Sequence, residues 1–238
     1  MTDPIIEVGL QAGVIALIAV IIALFAPKSF RIFWLLFALA LIIVHDAFLL
    51  RIYGLIPSLA PASHWNWTGK ILATVVMLSV ASLPLIGWRN SGIILRQAAK
   101  SGPPWIVFAI LTSAIFVAAI YTGNGHDDLD TIFFQWTMPG IEEEIFYRGV
   151  LLFVLNEVFT SKIKLFGAQF GWGGVLATVA FGLIHSLFYG VEGVSFNLVP
   201  FLLTGGPSIL LLWFRERTGS IVLPVLAHNA VNGAFHLF

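Results

Sequence analysis

The stretch GIEEEIFYRGVLL, residues 140–152, contains four ionisable residues among apolar ones: Glu142, Glu143, Glu144 and Arg148. Glu144 and Arg148 lie four residues apart, a spacing that favours an ion pair on one helix face. Glu143 lies about 100° further round the same helix, so its carboxylate can face a different neighbour. Acids in the first turn of a helix are also typical of solvated caps, so this stretch alone does not establish a site.

Two later apolar segments also carry polar side chains. FGLIHSLFYG places His185 four residues after Phe181, and LAHNAVNGAFH places His228 and Asn232 four residues apart on one helix face. A lone histidine in a helix is more often a hydrogen-bonded structural residue than a catalyst. A catalytic interpretation therefore needs the helices that carry these groups to bring them together.

Together these residue types are suited to hydrolysis of an amide bond. A carboxylate can act as general base on water, with a neutral histidine sharing the proton. Imidazole and asparagine N–H groups can donate hydrogen bonds to a developing oxyanion. A divalent metal such as Zn²⁺ is the alternative, because Glu and His are also metal ligands. No HExxH pattern is present and no spacing requires a metal, so we expect no cofactor.

The composition indicates an integral membrane protein. Only 10% of the 238 residues are charged and the mean hydropathy is +0.97, whereas soluble domains carry about a quarter charged residues. The absence of cysteine excludes disulfides, thiolate metal sites and a cysteine nucleophile. A net charge of zero argues against nucleic acid as a partner. The partners that we expect are the lipid bilayer and a peptide or protein substrate.

Apolar runs of roughly 20 residues can cross a bilayer as helices, and the sequence predicts an all-α bundle of about eight. The predicted spans are Ile5–Ala26, Phe30–Leu50, Lys70–Gly87, Pro104–Tyr121, Pro139–Thr160, Trp172–Tyr189, Ser195–Phe214 and Ser220–Leu237. We interpret residues 1–238 as one integral-membrane domain, with N-terminal helices in 1–122 and a motif-bearing core in 131–238. Of the 12 Lys and Arg residues, only Arg148 falls in the interior of a predicted span, because Arg31 and Lys70 lie at span ends.

The charged loops predict an orientation. Nine lysines and arginines fall in odd-numbered loops, and two, Arg51 and Lys70, at the borders of even-numbered ones. The positive-inside rule then places the odd loops in the cytoplasm and both termini outside. In this orientation the glutamates, His185, His228 and Asn232 all fall in the outer half of the membrane. Their shared depth favours one site over unrelated structural groups.

The three motifs then match a known pattern: EEIFYR reads as EExxxR, FGLIH as FxxxH and HNAVN as HxxxN, in that order. This arrangement, over roughly residues 135–238, resembles the CAAX-protease and bacteriocin-processing family (CPBP or ABI) of intramembrane glutamate proteases. The resemblance implies that Glu143 is the general base that activates water, assisted by His185. It also implies that His228 and Asn232 form the oxyanion hole.

By the same resemblance, Glu144 orients the site and pairs with Arg148, and the mechanism is metal-free. Glu142 is additional to the motif. We group Glu142 with Tyr147 and Phe181 as candidate residues of the cavity around the site.

The predicted function is that of an intramembrane endopeptidase in the bacterial cytoplasmic membrane, acting on a membrane-associated peptide or protein precursor. CAAX processing by eukaryotic relatives occurs on the cytosolic face, whereas the charges place this site toward the outside. Prenyl-protein processing is therefore the alternative, together with a non-catalytic scaffold or immunity protein. A small proton-relay transporter would spread its ionisable groups across the membrane instead of gathering them at one depth.

Overall fold

The computed structural model describes residues 4–99, 101–123 and 125–238, and it is mostly helical. The helices are α1 (Pro4–Phe25), α2 (Ile32–Leu50), α3 (Trp67–Ser82), α4 (Gly102–Thr122), α5 (Leu129–Gln135), α6 (Met138–Glu144), α7 (Leu152–Val158), α8 (Trp172–Leu183), α9 (Leu198–Thr218) and α10 (Val222–Ala234). Short 3₁₀ helices occur at Pro27–Ser29 and Ile52–Leu55, and a π-helical segment, Ile145–Leu151, joins α6 to α7. The strands are β1 (Lys162–Leu165), β2 (Ala168–Gly171), β3 (Leu187–Gly190) and β4 (Gly193–Phe196).

Four of the described helices are long and apolar enough to cross a membrane: α1, α2, α4 and α9. They coincide with four of the eight predicted spans. The other four predicted spans correspond to the shorter helices α3, α8 and α10 and to the composite helix that runs from α6 to α7. The chain is thus an integral membrane protein, and the eight crossings stay a prediction.

The prediction of an all-α fold is wrong at two antiparallel hairpins, β1–β2 and β3–β4. The second hairpin replaces the last part of the predicted span Trp172–Tyr189, because α8 already ends at Leu183. A short apolar run such as SLFYG suits a strand or a helix equally well by periodicity. Gly193, with a φ of 94°, supplies the left-handed position that the hairpin turn needs.

The helix that carries the glutamates lies at the centre of the molecule. Every residue from 145 to 152 is buried, and α2, α3, α8 and α10 pack around this helix. In the π-helical segment the carbonyl oxygen of Arg148 accepts a hydrogen bond from Arg215 Nε on α9, at 3.0 Å. Single π-helical turns are rare and are frequent at functional sites.

Asn66 holds the end of α2 against the start of α3. Its Oδ1 accepts a hydrogen bond from the N–H of Gly69 at 2.9 Å, which caps α3, and its Nδ2 donates to the carbonyl of Leu49 at 2.8 Å. His45 lies one turn before Leu49, and Lys70 lies one turn after Asn66. The Asn66 clamp therefore brings these two side chains to the same level of the bundle.

The segment before the glutamate helix is fixed to the start of α3 by polar contacts. Asp128 caps α5, and the hydrogen bond from the N–H of Thr131 lowers the pKa of this carboxyl. The indole N–H of Trp67 donates to Asp130 at 2.9 Å, and that of Trp65 donates to the Thr131 hydroxyl at 3.0 Å. These bonds set the position from which the chain enters α6.

Close packing of α7 on α8 gives the first prediction. At Gly173 an added Cβ would lie 2.5 Å from the backbone nitrogen of Asn156, whereas at Gly13, on α1, it would meet nothing within 4 Å. We expect Gly173→Ala to lower the free energy of unfolding by about 1–3 kcal/mol. Gly13→Ala should leave it unchanged or raise it by roughly 0.5–1 kcal/mol. Thermal unfolding in detergent measures both, and a Gly173→Ala protein as stable as wild type would contradict this packing.

Candidate active site

Glu144 is fully buried and connects three elements. Its Oε1 accepts a hydrogen bond from Arg148 Nη1 at 2.9 Å and lies 2.7 Å from His228 Nδ1. Arg148 also donates from Nη2 to Ser208 Oγ at 2.7 Å, and its guanidinium lies over the Phe181 ring, 4.3 Å from the centroid. The ion pair expected from the i, i+4 spacing is present, and it is tied to α9 and α10.

Glu142 is also buried, with 1% of its surface exposed. Its Oε1 contacts His45 Nε2, and its Oε2 accepts a hydrogen bond from Lys70 Nζ at 2.9 Å. The His45 ring stacks on Phe146, with centroids 3.7 Å apart and planes 3° from parallel. Both oxygens of this carboxylate are therefore occupied by α2 and α3.

Glu143 differs from its two enclosed neighbours because its side chain is partly exposed. Oε1 accepts a hydrogen bond from Lys70 Nζ at 2.7 Å. Oε2 lies 3.7 Å from His228 Nε2, beyond direct hydrogen-bond distance, and 12% of the side chain is exposed. Among the three glutamates, this one lines the cavity described next.

A cavity of about 220 Å³ brings together the four residues predicted to be catalytic: Glu143, His185, His228 and Asn232. The other lining residues are mainly apolar and come from α4, α8, α9 and α10: Leu111, Phe181, Leu203, Thr204, Pro207, Ser208, Leu210, Leu211 and Val231. The polar groups thus occupy one part of a mostly hydrophobic wall, which is typical of a ligand site.

Of the three other residues predicted near the cavity, Phe181 lines it and Tyr147 and Glu142 do not. Tyr147 is buried behind the wall and packs edge-on against Phe181, with ring centroids 5.1 Å apart. Its contribution is to support the Phe181 ring.

His185 reaches the cavity from a turn and not from the predicted helix. The turn follows Leu183, the last residue of α8. The carbonyl of Ser186 accepts a hydrogen bond from the N–H of Asn197 at 2.9 Å, which links the turn to the far end of the β3–β4 hairpin. The hairpin therefore helps to set the position of the imidazole.

His228 and Asn232 lie on successive turns of α10 and both line the cavity, as their spacing predicts. Asn229 beside them accepts a hydrogen bond from the N–H of Gly140 at 2.8 Å. Gly140 leaves no room for a side chain, because an added Cβ would overlap the Asn229 amide and lie 2.8 Å from the Val225 carbonyl oxygen. This close approach fixes α10 against the glutamate helix.

Lys70 is the residue at the site that sequence reasoning misses. Its position in the sequence predicts a loop border, whereas Lys70 lies in the first turn of α3 and binds two glutamates. Three acids and one arginine in a single apolar helix leave an excess of negative charge. Charges at membrane depth are normally paired. This excess of negative charge therefore predicts a second cation nearby.

The site residues also bear on metal binding. Among the described residues, no three histidine, aspartate or glutamate side chains are grouped so that they could hold a metal ion. The carboxylates are instead bonded to cations, Glu143 to Lys70 and Glu144 to Arg148. A metal at this position would have to displace these ion pairs, and the absence of a cofactor stays a prediction.

Comparison with protein families matches residues 126–234 to the family described as type II CAAX prenyl endopeptidase Rce1-like. Residues 126–234 are therefore similar to the CAAX-protease family. The resemblance inferred from the three motifs is thereby confirmed. Comparison with curated proteins and with solved structures gives no match.

The match covers just under half of the chain, including every polar residue on the cavity wall, but not His45 or Lys70. Similarity to the CAAX-protease family, a family of proteases, supports a peptidase with a peptide or protein substrate. Within this CAAX-protease region, α6, α8 and α10 carry the three motifs.

The enclosed ion pair gives the second prediction. Arg148→Met leaves Glu144 buried without its cation, and we expect it to lower the free energy of unfolding by about 3–5 kcal/mol. Arg31→Met breaks an ion pair with Glu157 in which the two side chains are 55% and 33% exposed. An exposed pair contributes about 0–1 kcal/mol, so this control should unfold close to wild type. Equal losses of thermal stability in the two variants would contradict the role assigned to Arg148.

Proposed function

We propose that the chain is an intramembrane endopeptidase of the glutamate type, which hydrolyses a peptide bond in a membrane-associated peptide or protein precursor. The observation that supports this most is the presence of Glu143, His185, His228 and Asn232 on one cavity wall. A base, a proton-sharing partner and two hydrogen-bond donors are the groups that amide hydrolysis requires.

In the proposed mechanism, Glu143 Oε2 takes a proton from a water molecule while the water oxygen attacks the carbonyl carbon. The carbonyl electron pair moves to oxygen, and His228 and Asn232 bind the resulting oxyanion. When the tetrahedral intermediate collapses, the C–N bond breaks and the leaving nitrogen receives the proton from Glu143, with His185 sharing the transfer.

The contact with Glu144 constrains the part that His228 plays. A carboxylate paired with Arg148 can only accept hydrogen bonds, so His228 Nδ1 must carry a hydrogen to bond Glu144 at 2.7 Å. A neutral ring then has no hydrogen on Nε2. To bind the oxyanion from Nε2, His228 must act as an imidazolium, with the two carboxylates as its counter-ions. A charge-assisted hydrogen bond of this kind is roughly twice as strong as a neutral one.

The cavity wall supports a substrate with apolar side chains near the cleaved bond. Four leucines from α4 and α9 line this wall, and burial of apolar surface against them would contribute about 25 cal/mol per Å². Prenylated proteins are the alternative substrates. A non-catalytic scaffold or immunity protein is less well supported, because every motif position is filled.

Replacement of the general base is the third prediction. Glu143→Gln should reduce cleavage by about 10²-fold or more, because the amide cannot accept the proton from water. Asn232→Ala should reduce it by about 10²–10³-fold through loss of an oxyanion donor. The measurement is cleavage of two peptides in liposomes, followed by mass spectrometry. One peptide has an apolar membrane segment and the other ends in a prenylated cysteine.

Glu157→Gln is the matched control, because Glu157 is a partly exposed acid on α7 whose ion pair partner is Arg31. Its activity should equal that of wild type. Full activity of Glu143→Gln would overturn the proposed base. Excess chelator should leave wild-type cleavage unchanged, and a loss that zinc restores would favour the metal mechanism.

We further propose that the site lies in the outer half of a bacterial cytoplasmic membrane, with both termini outside. The charge pattern of the loops supports this orientation. A hydrogen bond of 2.6 Å between His236 Nδ1 and Asp127 Oδ2 joins the segment after α10 to the loop between α4 and α5. Both segments therefore lie at one end of the bundle, as eight crossings require.

Orientation gives the fourth prediction, which uses the absence of cysteine from the chain. Single cysteines would replace Ile163 in the β1–β2 hairpin and Val191 in the β3–β4 hairpin, positions 67% and 89% exposed at opposite ends of α8. In intact cells an impermeant maleimide should label Val191→Cys, and it should label Ile163→Cys only after permeabilisation. The reverse pattern would place the site toward the cytosol and favour prenyl-protein processing.

A further inference from the structure

We propose that Lys70 is a positioning residue for the reaction: anchored by Glu142 and His45, it holds the Glu143 carboxylate ionised and in a fixed orientation. The inference rests on the proposed function, because it treats Glu143 as the base. Lys70 and His45 lie outside the part of the chain that matches the CAAX-protease family.

Lys70 is held on two sides. Its Nζ donates to Glu142 Oε2 at 2.9 Å and to Glu143 Oε1 at 2.7 Å, and only 13% of the side chain is exposed. A lysine on its flexible four-carbon stem ordinarily samples many positions. Two charge-assisted bonds at normal length restrict it to one.

Glu142, the anchor of Lys70, is itself fixed. Glu142 uses Oε2 for Lys70 and Oε1 for His45, and the His45 ring is stacked flat on Phe146. A buried polar network whose members are all bonded is rigid. Glu142, the acid that is additional to the family motif, therefore has a definite task in this chain, which is to hold Lys70.

The backbone places Lys70 and His45 together. The Asn66 clamp joins the carbonyl of Leu49 to the first turn of α3. Lys70 and His45 each lie one helical turn from that clamp, on α3 and α2. The arrangement is thus built into the packing of these two helices and does not depend on side-chain rotamers alone.

Lys70 also determines which oxygen of Glu143, the proposed base, stays available. Lys70 occupies Oε1 of Glu143, which leaves Oε2 as the oxygen nearer to His228, at 3.7 Å. The other ionisable groups around Glu143 are His228 from α10, His185 from the turn after α8 and Glu142 on its own helix. Without the Lys70 ammonium, the nearest cation to Glu143 is the proposed His228 imidazolium, 3.7 Å from Oε2 in a largely apolar cavity, so protonation of the carboxyl becomes more favourable. A protonated carboxyl cannot act as a general base.

The experiment measures protonation of Glu143 without requiring a substrate. A hydrophobic carbodiimide reacts with protonated carboxylic acids in membrane proteins, and peptide mass spectrometry identifies the modified residue. At neutral pH we expect Lys70→Met to raise the modification of Glu143 by about ten-fold or more, since even a modest ion pair shifts a protonation equilibrium by that factor. Labelling should also begin at a higher pH in this variant than in wild type.

Lys162→Met removes an exposed lysine in the β1–β2 hairpin and should behave as wild type, while Lys70→Arg keeps the cation and should restore most of the protection. Glu142→Gln removes the anchor but leaves Lys70, so it should raise labelling of Glu143 by a smaller factor. This variant provides the test if Lys70→Met does not fold. Labelling of Glu143 that is unchanged in the folded variants, or modification confined to Glu142, would overturn the inference.

Peptide cleavage separates this inference from the proposed function. Lys70→Met should lower kcat for the cleaved probe by about 10–100-fold with KM little changed, since the base and not substrate binding is affected. If Glu143→Gln cleaves normally while Lys70→Met still raises labelling, the proposed base is wrong and the placement of the carboxylate by Lys70 stands. If Glu143→Gln is inactive and Lys70→Met is fully active with unchanged labelling, only the role of Lys70 fails.

Discussion

Three adjacent carboxylates on the central helix have to be neutralised away from bulk water. An unpaired charge in a protein interior costs several kcal/mol, and membrane helices tolerate such charges only when they are paired. The partners come from four directions: His45 on α2, Lys70 on α3, Arg148 on the central helix itself and His228 on α10. The helices must therefore pack so that these partners reach the carboxylates, as well as so that the apolar surfaces are buried.

The same requirement explains the tight helix contacts. For His228 to reach Glu144, α10 must pack closely along α6, and Gly140 permits this because it has no side chain to obstruct Asn229. Arg148 is fixed from two sides, its side chain by Ser208 and its backbone carbonyl by Arg215. The π-helical segment thus contains Arg148, whose side chain and backbone are both held by α9.

Three identical side chains in a row acquire three different environments. Glu142 is enclosed with both oxygens bonded, Glu144 is enclosed between Arg148 and His228, and Glu143 alone lines the cavity with one oxygen held. In enzymes generally, carboxylates of the same type take different roles because their surroundings differ. The proposed division into an anchor, a base and an orienting group follows from this contrast.

The sequence by itself determined the membrane class, the family resemblance, the Glu144–Arg148 pair and the shared face of His228 and Asn232, because composition, motifs and i, i+4 spacing are local properties of the chain. It did not determine the end of α8 before His185, since a short apolar run suits a strand as well as a helix. Nor did it reveal that Lys70 and His45 meet Glu142, across 72 and 97 residues. Only the tertiary structure decided those contacts, because the distance between side chains on different helices depends on how the helices pack.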